Sequence, residues 1–213
     1  MSDFDRRIVC LAAGLAALAG YVDALGFIEL GGFFTAFMSG NSTRMAVGLT
    51  TNLHHALIAA GLILGFVAGV VLGSLAGHYA GNARGAVIML IVGLLLTAGA
   101  ALYHSGETAF AVGAVVLAMG AENAVFEREG KVAVGLTYMT GTLVTLGLRF
   151  AAALRGERGS FWVRYAVMWL GLICGAAGGA FAHSRIGLEA LWFAAGAALV
   201  LAAGLFAVRT EEE

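Results

Sequence analysis

Six stretches of this chain are apolar over about the 20 residues that an α-helix needs to cross a bilayer. They are residues 8–27, 56–80, 86–103, 108–126, 162–183 and 188–208. Apolar residues make up 61% of the 213 residues and charged residues only 12%, about half the charged fraction of a soluble domain. The sequence therefore predicts an all-α integral membrane protein whose main partner is the lipid bilayer.

Glycine is abundant, with 32 residues, and proline is absent. Small residues let helix backbones approach closely in lipid, where no hydrophobic effect drives helices together. Two stripes at mostly four-residue spacing are therefore predicted to pack helices, within the chain or in a homodimer. The stripes are Gly65, Gly69, Gly73 and Gly77 in the first half, and Gly171, Gly175 and Gly179 in the second.

A polar motif interrupts the apolar sequence twice. The first copy reads Gly20-Tyr-Val-Asp23-Ala and then Phe37-Met38-Ser39-Gly40-Asn41-Ser42; the second reads Gly120-Ala-Glu122-Asn123-Ala and then Tyr138-Met139-Thr140-Gly141-Thr142. Asp23 and Asn123 lie 100 residues apart, and Met38 and Met139 lie 101 apart. The spacing predicts one membrane domain made of two structural repeats, residues 1–106 and 107–213.

The second part of each motif lies in a more polar stretch, residues 33–50 and 133–154. Basic residues collect on the cytoplasmic side of membrane proteins. If both stretches cross, giving eight spans in two parallel repeats, the basic residues divide six to four; if each enters and returns, they divide ten to two. The second model is favoured, with three crossings and one re-entrant or broken helix per inverted repeat, and both termini cytoplasmic. The eight-helix alternative stays open.

The motifs predict a ligand site. Glycine tolerates a broken helix, and Ser, Thr and Asn are N-cap residues, so a half-helix starting at each motif would aim free N–H groups at a shared pocket. The predicted substrate-binding residues are Asp23, Met38, Ser39, Gly40, Asn41, Asn123, Met139, Thr140, Gly141 and Thr142. The competing interpretation is that these polar and small residues only pack crossing helices.

Charged and reactive side chains supply further hypotheses. A carboxyl group inside the membrane is expected to be protonated or paired, which makes Asp23 and Glu122 candidates for a proton relay. Arg44 is expected to form an ion pair with Asp23 or Glu29. Cys10 and Cys174 lie in apolar runs and are predicted to be small buried hydrophobes.

At Gly20-Tyr-Val-Asp23-Ala-Leu-Gly-Phe, Phe-Met38-Ser-Gly-Asn41-Ser, Asn123-Ala and Thr137-Tyr-Met139-Thr-Gly141-Thr, the chain resembles the YoaK-like family of bacterial inner-membrane proteins. The resemblance covers essentially the whole chain and implies about six spans in the inner membrane. It implies no substrate, so a function has to be argued from the site.

These observations favour a secondary transporter for a small polar metabolite or anion, and Asp23 and Glu122 make proton coupling a further hypothesis. A passive channel and a non-transporting scaffold or accessory subunit are the alternatives. The sequence has no nucleophile–base set, metal-ligand set or dinucleotide fingerprint, so neither an enzyme nor a cofactor is expected. A net charge of −1 argues against nucleic-acid binding.

Overall fold

The computed structural model describes residues 6–125, 127–128, 131–132, 138–157 and 161–210. The described chain forms eight α-helices: α1 (Arg6–Glu29), α2 (Met38–Thr51), α3 (Leu53–Ala80), α4 (Arg84–His104), α5 (Thr108–Glu122), α6 (Met139–Leu154), α7 (Trp162–Ile186) and α8 (Leu191–Thr210). Short 3-10 turns, Gly81–Ala83 and Gly187–Ala190, join α3 to α4 and α7 to α8. A two-residue antiparallel pair, Glu127–Arg128 with Lys131–Val132, lies between α5 and α6.

Three helical stretches of the described chain are long and apolar enough to cross a membrane: Val9–Glu29, Leu53–His104 and Trp162–Phe206. The second and third each contain two helices, because a 3-10 turn reverses the chain within each. In the second stretch this reversal packs Gly77 of α3 against Ile88 of α4, and a Cβ on Gly77 would meet the Ile88 side chain at 2.9 Å. Two apolar helices are shorter, α5 and α6. The prediction of an all-α integral membrane protein is confirmed.

The glycine stripes bring two pairs of helices into backbone contact. On α7, Gly171, Gly175 and Gly179 lie against the carbonyl oxygens of Ala13, Ala17 and Tyr21 of α1. On α3, Gly69 and Gly73 lie against the carbonyl oxygens of Leu117 and Ala121 of α5, while Gly65 contacts Val116 and Gly77 contacts Arg84 and Ile88. All of these contacts lie within one chain, and no side chain larger than hydrogen fits at the closest of them.

The two contacts are equivalent in detail. Gly20 of α1 lies against the Leu172 carbonyl of α7, and Gly120 of α5 lies against the Phe66 carbonyl of α3. The first helix of each predicted repeat therefore packs on the third helix of the other repeat. Because residue numbers rise together along both contacts, α1 runs parallel to α7 and α3 runs parallel to α5.

The directions of the remaining helices follow from their contacts. Gly85 lies near Leu205 and Gly93 near Leu199, so α4 and α8 are antiparallel. Together with the two 3-10 reversals, this makes α1, α4 and α7 run one way and α3, α5 and α8 the other. Helices α2 and α6 therefore each connect two helices at the same end of the bundle, and their re-entry into the membrane stays a prediction. The repeat boundaries and the orientation in the membrane stay predictions.

The short helices α2 and α6 have 14 and 16 residues, about 21 and 24 Å at 1.5 Å per residue, against a hydrocarbon core of roughly 30 Å. Each begins level with the middle of a long helix. Ser39 of α2 shares a cavity with Phe66 of α3, and Met139 of α6 shares one with Leu172 and Ala176 of α7. The start of the second broken segment, residues 133–137, lies outside the described residues, as does Arg158.

One expectation about the core is wrong. Cys10 and Cys174 are unpaired, as expected, but both are exposed on the helix surface. Most of the apolar side chains of α3 also face outward, including Leu64, Val67 and Val71. In a membrane protein the outer surface meets lipid tails, which are as apolar as leucine, so an apolar cysteine environment does not require burial in protein.

Candidate functional site

The first motif is built around an unwound segment, residues 33–37, between α1 and α2. Helix α1 ends at Glu29, and the chain then turns at Gly31 and Gly32, whose φ angles of 62° and 101° lie in the left-handed region that favours glycine. This corrects the expectation that Gly40 breaks the helix, since Gly40 and Gly141 both lie inside the first turn of a helix. The N-cap residues are Phe37 and Tyr138, and neither makes a side-chain cap.

Asp23 holds the middle of the unwound segment. Its Oδ1 accepts hydrogen bonds from the backbone N–H groups of Thr35 and Ala36, both at 2.7 Å, and from the Thr35 hydroxyl at 3.3 Å. The Thr35 hydroxyl also lies 3.4 Å from the Val22 carbonyl oxygen. An unwound backbone in the membrane needs such partners, so the carboxylate stabilises the unwound segment in addition to any contact with a ligand.

Asn41 holds the start of the same segment from the other side. Its Oδ1 accepts from the N–H of Phe34 at 3.0 Å, and its Nδ2 donates to the carbonyl of Phe34 at 2.7 Å. The side chain is fully buried. Nδ2 also donates to Sδ of Met38 at 3.5 Å. Both hydrogen-bonding groups of the amide are therefore engaged with the protein, and Asn41 supports the site without facing a ligand.

The equivalent residues of the second motif each make a local hydrogen bond. Asn123 is buried and donates from Nδ2 to the Met119 carbonyl at 2.9 Å. Thr142 is 9% exposed, and its hydroxyl lies 3.4 Å from the Tyr138 carbonyl.

The two motifs meet around one cavity of about 420 Å³, which we call the motif cavity. Met38 and Ser39 line it from the first turn of α2, and Met139, Thr140 and Gly141 line it from the first turn of α6. Ser39 and Thr140 are both exposed, and among the described residues neither hydroxyl has a hydrogen-bond partner. The remaining lining residues are Ala36, Phe37, Phe66 and Tyr138.

A second cavity of about 440 Å³ adjoins the first and shares Ala36, Phe37 and Met139 with it. We call it the Asp23 cavity, because Asp23 is the charged residue that lines it. Its walls come from α1, the unwound segment and α7, and include Phe27, Phe34 and Ala180. The volume is in the range of small-molecule sites.

Glu122 lies near the motifs but lines neither cavity. It is 0% exposed, and neither carboxyl oxygen has a hydrogen-bond partner among the described residues. Isolated buried charge is very costly, so we expect this side chain to be a neutral acid in the conformation seen.

The ion pair expected for Arg44 is wrong. The Arg44 guanidinium stacks over the Phe33 ring, 5.0 Å from its centroid, and its tip lies against Gly32. Glu29 instead lies 3.1 Å from Nε2 of His183 on α7, while Asp23 binds backbone N–H groups. A cation–π contact satisfies Arg44 where the sequence suggested a carboxylate.

The structure thus brings Met38, Ser39, Met139, Thr140 and Gly141 to one cavity and Asp23 to its neighbour. Gly40 packs against the Phe34 and Phe37 rings, and Asn41, Asn123 and Thr142 are internal. Sequence reasoning missed the aromatic walls formed by Phe27, Phe34, Phe37, Phe66 and Tyr138. Phe37 and Tyr138 carried a signal, since each directly precedes the methionine of its motif.

The fold and the paired motifs define a polytopic all-α membrane protein with a cavity that both motifs line. The family described as "Protein of unknown function (DUF1275)" matches residues 11–204, and the chain belongs to this family. It is also 36% identical to the UPF0700 transmembrane protein RA0705 of Rhizobium meliloti (strain 1021) over 200 residues, which are 94% of this chain and 87% of the relative. No solved structure matches the chain. The family expected from the motifs is confirmed.

Proposed function

We propose that this protein is a secondary transporter that moves a small polar solute by alternating access, with the motif cavity as its central site. The observation that carries the proposal is the cavity itself, because equivalent residues of two half-chains line it from opposite short helices. Discontinuous helices that end at a central site are a recurring transporter design.

The polar groups of the motif cavity suit a small polar ligand. The first turns of α2 and α6 leave N–H groups without intrahelical acceptors, and the Ser39 and Thr140 hydroxyls add donors and acceptors. Residues of α3 and α5 on one side and of α1 and α7 on the other are held by backbone contacts. Two such rigid pairs could rock against each other around the cavity.

Glu122 is the group that we propose for proton coupling. A buried acid without a partner gains a proton acceptor only if the surroundings rearrange or water enters, so its proton exchange would be tied to a conformational change. Asp23 is the second candidate.

Transport tests the proposal directly. Purified protein in proteoliposomes is loaded with unlabelled solute and assayed for uptake of the labelled form, across a panel of amino acids, organic amines, carboxylates and sugars. Saturable counterflow of at least one panel member is expected. Linear flux without counterflow would indicate a channel, and no flux for any member would contradict transport.

A matched pair of variants ties flux to the motif cavity. A Cβ built on Gly141 or on Gly147 meets no atom within 4 Å, and both glycines lie in α6, so leucine at either position fits the fold and favours the helix. Only Gly141 lines the cavity. Gly141→Leu is expected to lower counterflow at least about tenfold, and Gly147→Leu to leave it unchanged. Equal activity of the two variants would exclude the motif cavity as the route.

A further inference from the structure

The Asp23 cavity combines one acidic group with apolar walls. Apart from Asp23, its lining consists of aliphatic, aromatic, methionine and glycine residues. The rings of Phe27 and Phe34 lie 4.8 Å apart, and those of Phe34 and Phe37 lie 5.4 Å apart with their planes at 68°. The cavity therefore offers a cluster of three rings beside one carboxylate.

The counter-charge of Asp23 is missing from the described protein. No described Lys, Arg or His forms an ion pair with it, because Arg44 stacks on Phe33 and His183 pairs with Glu29. The two short N–H hydrogen bonds to Oδ1 are of the kind that charge-assisted acceptors make, but they bring no formal positive charge. A cation entering the cavity would supply it.

The same features disfavour other ligands. An anion would meet the carboxylate at close range in apolar surroundings, where like charges repel strongly. A neutral apolar molecule would gain burial but nothing from Asp23. An organic cation gains both, since an ammonium group also interacts favourably with the faces of aromatic rings.

We propose that the Asp23 cavity binds the ammonium group of an organic amine whose apolar body lies against Phe27, Phe34 and Phe37. The inference rests on the proposed function, since it names the substrate class of the same central site: the two cavities share Ala36, Phe37 and Met139. The sequence favoured a small polar metabolite or an anion as the substrate, and the proposal replaces the anion with an organic cation.

The test compares three probes with one aromatic body and different charge: phenethylamine, phenethyl alcohol and 3-phenylpropionate. Binding to the purified protein in an uncharged detergent is followed by isothermal titration calorimetry and by the shift of the thermal unfolding midpoint. The amine is expected to bind and to raise the midpoint, and the carboxylate not to bind. Equal binding of amine and alcohol would overturn the proposal, because it would show a site that recognises only apolar surface.

Two variants locate the site. Asp23→Asn keeps an oxygen that can accept from Thr35 and Ala36 but removes the charge, and is expected to weaken amine binding about tenfold or more. Ala180→Leu fills the cavity from α7 and leaves the Asp23 carboxylate in the chain, and Ala177→Leu, on the exposed side of the same helix, is the control. Loss of amine binding in Ala180→Leu but not in the control Ala177→Leu supports the proposal. Unchanged amine binding in both Asp23→Asn and Ala180→Leu would overturn it.

Failure of this inference is distinguishable from failure of the proposed function. Counterflow of another solute without amine binding would contradict the amine site but agree with the proposed transport function. Amine binding that depends on Asp23, without counterflow of any solute, would support the amine site and contradict the proposed transport function.

Discussion

The two halves of this protein share their helix packing but differ at their motifs. In the first half, Asp23 and Asn41 cross from α1 and α2 to hold the unwound segment at Phe34, Thr35 and Ala36. In the second half, Thr142, the equivalent of Asn41, bonds the Tyr138 carbonyl four residues earlier. Cross-links between elements stabilise a particular arrangement, whereas bonds within a helix survive when the helix moves. Thr142 is therefore expected to brace its motif less firmly than Asn41 braces the first.

The shared part of the comparison gives the largest expected effect. Gly175→Val and Gly69→Val each place a side chain against a backbone carbonyl, of Ala17 and Leu117 respectively, and a carbonyl in a helix cannot swing aside. We expect each variant to lose about 3 kcal/mol or more of unfolding free energy and to fail to give a monodisperse peak in size-exclusion chromatography.

Gly61→Val and Gly196→Val are the controls, because a Cβ at either glycine meets no atom within 4 Å. Both should elute like the parent protein. If only one of the two contact variants loses its fold, the halves are not equivalent in packing, and the two-repeat description is weakened.

The motif difference itself is tested by alanine at equivalent positions. Asn41→Ala leaves the partly buried N–H and C=O of Phe34 without their partners, at about 1–3 kcal/mol for each group, so a loss of roughly 2–4 kcal/mol is expected. Thr142→Ala removes one long hydrogen bond of 3.4 Å and is expected to cost below about 1 kcal/mol. Unfolding by SDS titration in mixed micelles gives both values.

Ser42→Ala is a suitable control for the first motif, since its exposed hydroxyl bonds only the Met38 carbonyl. It should change stability by less than about 0.5 kcal/mol. Losses of similar size for Asn41→Ala and Thr142→Ala would mean that the second motif is braced as firmly as the first.

The features that follow from local sequence were predictable, and those that depend on tertiary contacts were not. Apolar length fixed the helices closely, and the repeated polar motif identified residues that line one cavity. The glycine argument placed the helix break at Gly40, but the left-handed residues are Gly31 and Gly32, where no polar motif marks them. The partner of Arg44 was missed because charge alone suggests a carboxylate, and a sequence does not show that Phe33 lies under the guanidinium.

The roles of Asp23 and Asn41 show the same limit. A polar side chain in an apolar run indicates that something must satisfy it, but does not say whether that is a ligand or the protein's own backbone. Here the unwound segment supplies the partners for Asn41 and part of those for Asp23. An unwound residue leaves its backbone N–H and C=O groups without helical partners. A broken helix in the membrane therefore requires a polar side chain nearby that binds those groups.

A small gain in stability is expected at one pair of equivalent buried positions, Val22 in α1 and Glu122 in α5, which lie 100 residues apart. Glu122→Leu makes the second half resemble the first and removes two unpartnered oxygens, so it should raise the unfolding free energy by about 1 kcal/mol. Glu122→Gln keeps a polar group of the same shape, and its unfolding free energy should stay within about 1 kcal/mol of the parent protein.

If Glu122 carries the coupled proton, neither variant can accumulate solute in response to a pH gradient, although both still exchange labelled for unlabelled solute at equal pH. Gradient-driven accumulation by Glu122→Gln would remove Glu122 from the coupling step and leave Asp23 as the remaining candidate. A gain in stability together with loss of coupling would identify Glu122 as a group kept for function at the expense of the fold.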